Sequence, residues 1–250
     1  PTFDHNGLLR RRARVEPRVE IPHLEAAQRH GFAEVVITLP QAEAQREASR
    51  CLDCDVLCST CDSVCPNRAI FTYRVRPQKL SIPQLRLVDG GLVPCAGSVF
   101  LVTQGPQVAV LTDACNECGN CVTFCPTSDR PWRDKPRIYL HRGDFEAEAD
   151  HAFMFIAHGN ARGLQAKFEG ALHQLVEDGE VMRYTSPVVE LDMDAETLEF
   201  LDAAVRCDSD GEELVSPDPL GAMIVLHRSF VSSMPEFPLV EAESVWLLRE

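Results

Sequence analysis

The polar and apolar pattern of the first part of the chain predicts a connecting segment, a short helix and β-hairpins. Residues 1–40 are rich in proline, arginine and glutamate and show no long apolar period, which is typical of a connector. Gln41–Arg50 contains good helix formers without glycine or proline, which predicts a helix leading into Cys51. The β-rich stretches that follow, and the turn signals between them, are Ile70–Val75, Asp89-Gly90-Gly91, Ser98–Thr103, Gly105-Pro106 and Val108–Thr112.

The pattern changes after Pro136, where a small α+β region is predicted. Asp194 is expected to cap a helix over Ala195–Arg206, which places apolar residues at helical spacing on one face. Residues 162–178 fit a strand and a helix equally, and both interpretations stay open. The predicted strands of this region are Arg137–His141, Ala152–Ala157, Ala222–Leu226 and Ser244–Leu248.

Composition and charge narrow the class of protein. The chain has 250 residues, 45% of them hydrophobic, and a formal net charge of −14. Such an acidic balance argues against a nucleic-acid partner, since phosphate neutralisation needs clustered lysine and arginine. No apolar run approaches a membrane span. The basic run Arg10–Arg14 lacks the apolar region of an export signal, so we expect a cytoplasmic protein. Because the sequence starts at Pro1, we expect a piece of a longer protein.

Cysteine is the unusual residue, because nine of the 11 cysteines fall in two short blocks, residues 51–66 and 115–126. The content is below that of a disulfide scaffold, and clustered thiols in a reducing compartment hold metal more often than they pair. The second block, Cys115–Pro126, reads C-x2-C-x2-C-x3-C-P, the run that binds [4Fe–4S] clusters in bacterial ferredoxins. Gly119 is expected where the backbone passes close to the cluster.

The first block repeats this run with one residue added. From Cys54 to Pro66 it reads C-x3-C-x2-C-x3-C-P. Two such blocks predict an internally duplicated module with two [4Fe–4S] clusters, in which each block lends its last cysteine to the other cluster. The predicted ligands are Cys54, Cys58, Cys61 and Cys125 for one cluster, and Cys115, Cys118, Cys121 and Cys65 for the other.

This assignment of cluster ligands uses eight of the nine cysteines in the two blocks. Cys51 is the spare thiol in this set, but Cys51, Cys54 and Cys58 also have ligand spacing, which would make Cys61 the spare one. Zinc and disulfides fit the spacing less well. The isolated Cys95 and Cys207 are expected to be inert. No nucleotide-binding glycine motif, serine elbow or other catalytic residue is recognisable.

The residues around the blocks resemble a known family. Glu47–Cys54, EASRCLDC, resembles the entry to the iron–sulfur segment of flavoproteins related to the glutamate synthase small subunit. The longer run over residues 47–69, with CNECGNCVTFCP at 115–126 and Pro131–Lys135, is similar to the C-terminal part of the selenate reductase iron–sulfur flavoprotein subunit family. The chain departs from that family in its β-rich insertion, residues 71–114.

The resemblance implies an organisation of three parts. Residues 1–45 would be the linker or tail of an absent flavin domain, which would bind FAD and NAD(P). Residues 46–136 would be a ferredoxin-like domain with two [4Fe–4S] clusters, and 137–250 an accessory α+β domain. The expected partners are a flavin domain or flavoprotein as electron donor and a downstream reductase or dehydrogenase subunit.

The expected function is therefore electron transfer within a larger oxidoreductase. Acidic residues beside the predicted ligands should lower the reduction potentials, because negative charge stabilises the oxidised cluster. These residues are Asp53, Asp55, Asp62 and Glu117. Two alternatives stay open at this point: a free-standing ferredoxin-like subunit, and a docking module that metal only stabilises.

Overall fold

The computed structural model of the chain describes residues 4–50, 58–89, 91–206 and 217–241. Its contacts divide the chain into two compact units, Pro1–Cys58 and Ser59–Glu250. The mixed α+β class predicted from the sequence is confirmed. The domain boundary predicted between residues 136 and 137 falls inside the second unit, where strands from both sides of it share one sheet.

The first unit contains little regular structure beyond two helices, α1 (His5–Arg12) and α2 (Gln41–Ser49), and a 3₁₀ turn at Ala26–Gln28. Helix α2 confirms the helix predicted before Cys51. Its Glu47 carboxylate accepts a hydrogen bond from the backbone N–H of Val19 at 2.9 Å. Val19 is buried, so the helix fixes a part of the segment expected to be only a connector.

The second unit is built on a mixed β-sheet, to which ten of the described strands belong. Its strands lie in the order β1-β4-β5-β6-β7-β8-β9-β10-β11, with β12 beside β6, while β2 and β3 form a separate hairpin. Strand β5 pairs in parallel with β4 and β6, and β12 pairs in parallel with β6; the other pairs are antiparallel. The strands are β1 (Ile70–Arg74), β2 (Gln78–Val88), β3 (Gly91–Val102), β4 (Pro106–Leu111), β5 (Arg137–Ile138), β6 (Ala152–His158), β7 (Ala161–Phe168), β8 (Ala171–Asp178), β9 (Val181–Thr185), β10 (Val189–Asp194), β11 (Phe200–Val205) and β12 (Val240–Glu241).

The described helices of this unit are short except for the last. The last of them, α7 (Pro217–Ser233), has 17 residues and is largely apolar, which suits a helix packed on a sheet. The helices are α3 (Thr60–Ser63), α4 (Asn120–Thr123), α5 (Pro131–Asp134), α6 (Arg142–Ala147) and α7 (Pro217–Ser233), with a 3₁₀ turn at Thr112–Ala114.

Strand β6 shows why the sheet has a core on each face. Its residues run almost continuously apolar, and successive side chains point to opposite faces. Phe153 and Phe155 pack into the larger core, which contains residues of α7 and of the β2–β3 hairpin. Met154 and Ile156 pack into the second core, with Phe145 of α6. The β-rich insertion is thus part of the larger core.

The predicted strands are confirmed in outline over β1, β3, β4 and β6, whereas the predicted helix over Ala195–Arg206 is wrong. The part from Phe200 to Val205 forms strand β11, antiparallel to β10. Asp194 caps a tight turn instead of a helix, because its carboxylate accepts the backbone N–H of Thr197 at 2.7 Å. Leu198 then takes a φ of 63°, which ends any helical path.

Four further predictions concern the region after Pro136. The strand predicted over Ala222–Leu226 is wrong, because these residues lie inside helix α7. The ambiguous residues 162–178 form two strands, β7 and β8, joined at Glu169 and Gly170, which both have positive φ. Arg137–His141 contributes only the two residues of β5. The predicted strand Ser244–Leu248 lies outside the described residues.

No helix in the described part of the chain has the length and apolar character needed to cross a membrane.

Candidate functional site

In the second cysteine block, residues 115–119 form a loop that leads into helix α4, and Cys125 follows that helix. Glu117 and Gly119 have positive φ values of 54° and 80°, and Gly119 is the residue before the helix. Cys121 lies in α4 and is buried, whereas Cys118 is exposed. The predicted reason for Gly119 was space for a cluster, but the structure supplies another one: the left-handed backbone favours glycine, and a Cβ there would meet no atom within 4 Å.

The first block repeats the local structure of the second with an offset of 60 residues. Cys61 lies in helix α3 as Cys121 lies in α4, and both thiols are buried. The backbone N–H of Val64 donates to Thr60 at 3.0 Å, and that of Phe124 donates to Asn120 at 3.1 Å. The duplication inferred from the cysteine spacing therefore extends to backbone hydrogen bonds.

The last cysteine of each block accepts the same hydrogen bond. Sγ of Cys65 accepts the backbone N–H of Ala69 at 3.3 Å. Sγ of Cys125 accepts the backbone N–H of Asp129, also at 3.3 Å. Each sulfur thus has an amide donor four residues later, an arrangement that stabilises negative charge on it.

A left-handed residue makes this bond possible in both blocks. Arg68 has a φ of 52° and Ser128 a φ of 61°. Each lies three residues after the last cysteine of its block and donates its N–H to that cysteine's carbonyl, at 3.2 and 3.3 Å. The turn brings the next amide back toward the sulfur.

Pairing of β1 with β4 brings the two blocks together. Ile70, just after the first block, pairs with Val110, just before the second. The amide of Leu111 donates to the carbonyl of Ala69 at 2.7 Å. Because β1 and β4 are neighbours, the insertion between them loops out as a hairpin and leaves the ends of the two blocks adjacent.

One predicted set of ligands lines a common cavity. Cys65 of the first block and Cys115, Cys118 and Cys121 of the second line it, with Ile70 and Trp132 among the other walls. Cys61 and Cys121 are also part of one apolar cluster, against which Cys65 and Cys115 pack. The cavity is small, about 10 Å³, which is room for roughly one water. A multi-iron core therefore requires these thiols to move apart.

The surroundings perturb two of the thiols in opposite directions. Burial raises the pKa of Cys115, and the nearby Cys65 and Cys121 raise it further. The hydroxyl of Thr127, 3.3 Å from Sγ of Cys125, lowers the pKa of Cys125, and the backbone amides of Thr127 and Asp129 add to this effect. The surroundings of Cys115 therefore oppose its charged form, while Cys125 has donors that favour its thiolate.

The other predicted set is described only in part. Cys54, like the alternative ligand Cys51, lies outside the described residues, and Cys58 is the last residue of the first unit. Among the residues that the structure describes, no three histidine, cysteine, aspartate or glutamate side chains are placed to hold a metal ion. The ligand sets stay predictions.

Asn67 makes a contact at this site that was not predicted from the sequence. The side-chain amide of Asn67 donates a hydrogen bond to the carbonyl of Ala114 at 3.2 Å. Asn67 follows the Cys-Pro pair of the first block, and Ala114 precedes the first cysteine of the second. The polar residue directly after Cys65-Pro66 was the available signal for this contact between the blocks.

Comparisons with known proteins give a partial match. No family model and no solved structure matches the chain. The protein described as "Putative oxidoreductase YgfK" from Escherichia coli strain K12 is 33% identical over 135 residues, and its counterpart from strain O157:H7 matches equally. The match covers 52% of this chain but only 11% of either relative. The chain is thus similar to about a tenth of a much longer protein.

Proposed function

We propose that this chain carries electrons through two [4Fe–4S] clusters as part of a larger oxidoreductase that uses FAD and NAD(P). The observation that carries the proposal is the cavity that Cys65 shares with Cys115, Cys118 and Cys121. These four thiols come from two blocks about fifty residues apart in sequence. The ferredoxin-type spacing assigns the same four to one cluster.

The donor set suits an iron–sulfur cluster chemically. Thiolates are the preferred ligands of such clusters. In a cubane cluster, each cysteine thiolate binds a different iron atom. The four cysteine sulfurs therefore lie around the cluster and do not converge on a single metal ion. Cys54, Cys58, Cys61 and Cys125 would hold the other cluster. A [4Fe–4S] cluster, when bound, takes up and releases single electrons.

The residues around the clusters would set their reduction potentials. The amides of Ala69 and Asp129 donate to the sulfurs of Cys65 and Cys125, which favours the more negative, reduced state. The carboxylates of Asp62 and Glu117 act in the opposite direction. The exposed position of Cys118 places one ligand at the surface, where a redox partner can approach. A redox role agrees with the description of the relatives as oxidoreductases.

The experiment is a metal and sulfide analysis of the chain purified and reconstituted without oxygen. We expect about eight irons and about eight acid-labile sulfides per chain, and brown colour that dithionite bleaches. A Cys121→Ser variant should lose about half of the iron, whereas the matched Cys95→Ser variant should keep all of it. Colourless protein that contains zinc and no sulfide would overturn the proposal in favour of a metal-stabilised docking module.

A further inference from the structure

A second cavity, much larger than the one between the thiols, lies in the second unit. It has a volume of about 1030 Å³ and shares no lining residue with the cysteine cavity. The sheet contributes Phe153, Phe168 and Tyr184 to its lining, the β2–β3 hairpin contributes Phe100, and helix α7 contributes Ala222. A volume of this order, with aromatic walls, is typical of sites for small organic molecules.

The cavity contains a polar pair within its apolar lining. Nδ1 of His173 on β8 and the hydroxyl of Tyr184 on β9 are 2.6 Å apart. Tyr184 is buried, and the ring of Phe168 packs edge-on against His173 at 5.4 Å. Within the described part of the chain, the ring nitrogen Nε2 of His173 makes no hydrogen bond to protein. The pair therefore leaves one ring nitrogen for a ligand.

Carboxylates predominate among the titratable side chains that line the cavity. Among its described lining residues there is no lysine or arginine. Four carboxylates line it, all of them exposed or half-exposed, and the exposed imidazole of His151 lies 3.5 Å from one of them, Asp150: the four are Asp134, Asp150, Glu169 and Asp218. Burial lowers the pKa of His173 to about 4, so its ring is neutral at pH 7. An anion entering this cavity would meet these carboxylates and, among the described lining residues, no lysine or arginine to bind it.

We propose that this cavity binds a small aromatic molecule that carries a positive or uncharged polar group. The aromatic walls would contact the body of the ligand and add cation–π attraction. The carboxylates would attract its charge, and Nε2 of His173 would hydrogen-bond its polar group. Selenate or another oxyanion does not fit this lining. The proposal is independent of the cysteine blocks.

Three probes of similar size and different charge test this proposal. Benzamidine is a cation, benzamide is neutral and benzoate is an anion. Each is added at millimolar concentration to the full chain, and binding is measured by saturation-transfer NMR. We expect benzamidine and benzamide to bind, with benzoate at least about tenfold weaker than benzamidine. Equal binding of benzoate, or binding of none of the three, would overturn the proposal.

A pair of variants on helix α7 locates the binding. Ala222→Trp fills the cavity from its wall and should abolish benzamidine binding. Val231→Trp places the same side chain on the helix at a position that is 42% exposed and does not line the cavity, so it should leave binding unchanged. Binding that survives Ala222→Trp in folded protein would contradict the assigned site. Since this readout needs no iron, its failure is distinguishable from failure of the electron-transfer proposal.

Discussion

The backbone amide of Ala69 donates a hydrogen bond to Sγ of Cys65 at 3.3 Å. The second block contains the same bond, from Asp129 to Cys125. In both blocks the residue before the donating amide has a positive φ. The final cysteine of each block is thus held by a turn and by a hydrogen bond to its sulfur. Cys61 and Cys121, in contrast, are held within helices. This difference agrees with separate roles for the last thiol of each run.

The first prediction concerns this exchange of last cysteines. Cys65→Ser and Cys118→Ser should each remove the same cluster, because Cys65 serves the second block. Cys58→Ser and Cys125→Ser should each remove the other cluster. Every variant should lose about four irons, and EPR of the reduced protein should show which of two signals is missing. Loss of the same signal in Cys65→Ser and Cys58→Ser would contradict the exchange.

The second prediction identifies the spare thiol. Cys51→Ser should keep about eight irons per chain, whereas Cys61→Ser should lose about four. The burial of Cys61 beside Cys121 in one apolar cluster supports Cys61 as the ligand and Cys51 as the spare thiol. Iron analysis after anaerobic reconstitution measures both variants. The reverse pattern would favour the alternative set with Cys51.

The third prediction concerns the backbone at Gly119. Its φ of 80° makes Gly119→Ala unfavourable, by about 1 kcal/mol in the free energy of unfolding. Gly143 is the matched control, because it lies in helix α6 without a positive φ and with open space around its missing Cβ. Gly143→Ala should leave stability unchanged or raise it by about 0.5 kcal/mol. Urea unfolding measures both, and equal effects would contradict this account.

Much of the cysteine site follows from local sequence, which explains why it could be predicted. The runs Cys58–Pro66 and Cys118–Pro126 repeat the same spacing, and repeated spacing predicts repeated backbone. The sequence predicts β1 and β4 as two separate strands. Their pairing could not be predicted, because it joins residues on either side of a long insertion. The contact of Asn67 with Ala114 depends on that pairing.

Two predictions of secondary structure are wrong because a local apolar pattern fits more than one kind of element. Ala222–Leu226 is a short apolar run, which fits a buried strand and a buried helix equally; its burial against the sheet decides for the helix. Over Ala195–Arg206 the apolar residues fit helical spacing, but the Asp194 turn and pairing with β10 prevail. The large cavity depends on three elements distant in sequence, so no local pattern indicates it.

The fourth prediction concerns pH. Burial lowers the pKa of His173 to about 4, from an ordinary value of 6.5. Unfolding exposes the ring, so between these pH values the unfolded chain binds more protons than the folded chain. The contribution of His173 to the free energy of unfolding is therefore fully present above pH 6.5 and is lost as the pH falls toward 4. After allowance for the solvent that reaches the half-buried ring, the loss should be about 1–2 kcal/mol.

Urea unfolding across that pH range, for the wild type and His173→Phe, measures this contribution. The variant should show a shallower loss of stability on acidification. NMR of the imidazole should show a neutral ring at pH values where an exposed histidine is charged. Identical slopes for the two proteins, or a ring of His173 that titrates like one in water, would contradict the prediction.

A redox titration followed by EPR tests the electron-transfer proposal most directly. The chain, reconstituted without oxygen, is reduced stepwise and its spectrum recorded at each potential. We expect two one-electron couples, both at negative potentials, because carboxylates such as Asp62 and Glu117 lie beside the ligands. Protein that gives no EPR signal after full chemical reduction, or two couples at positive potentials, would contradict the account.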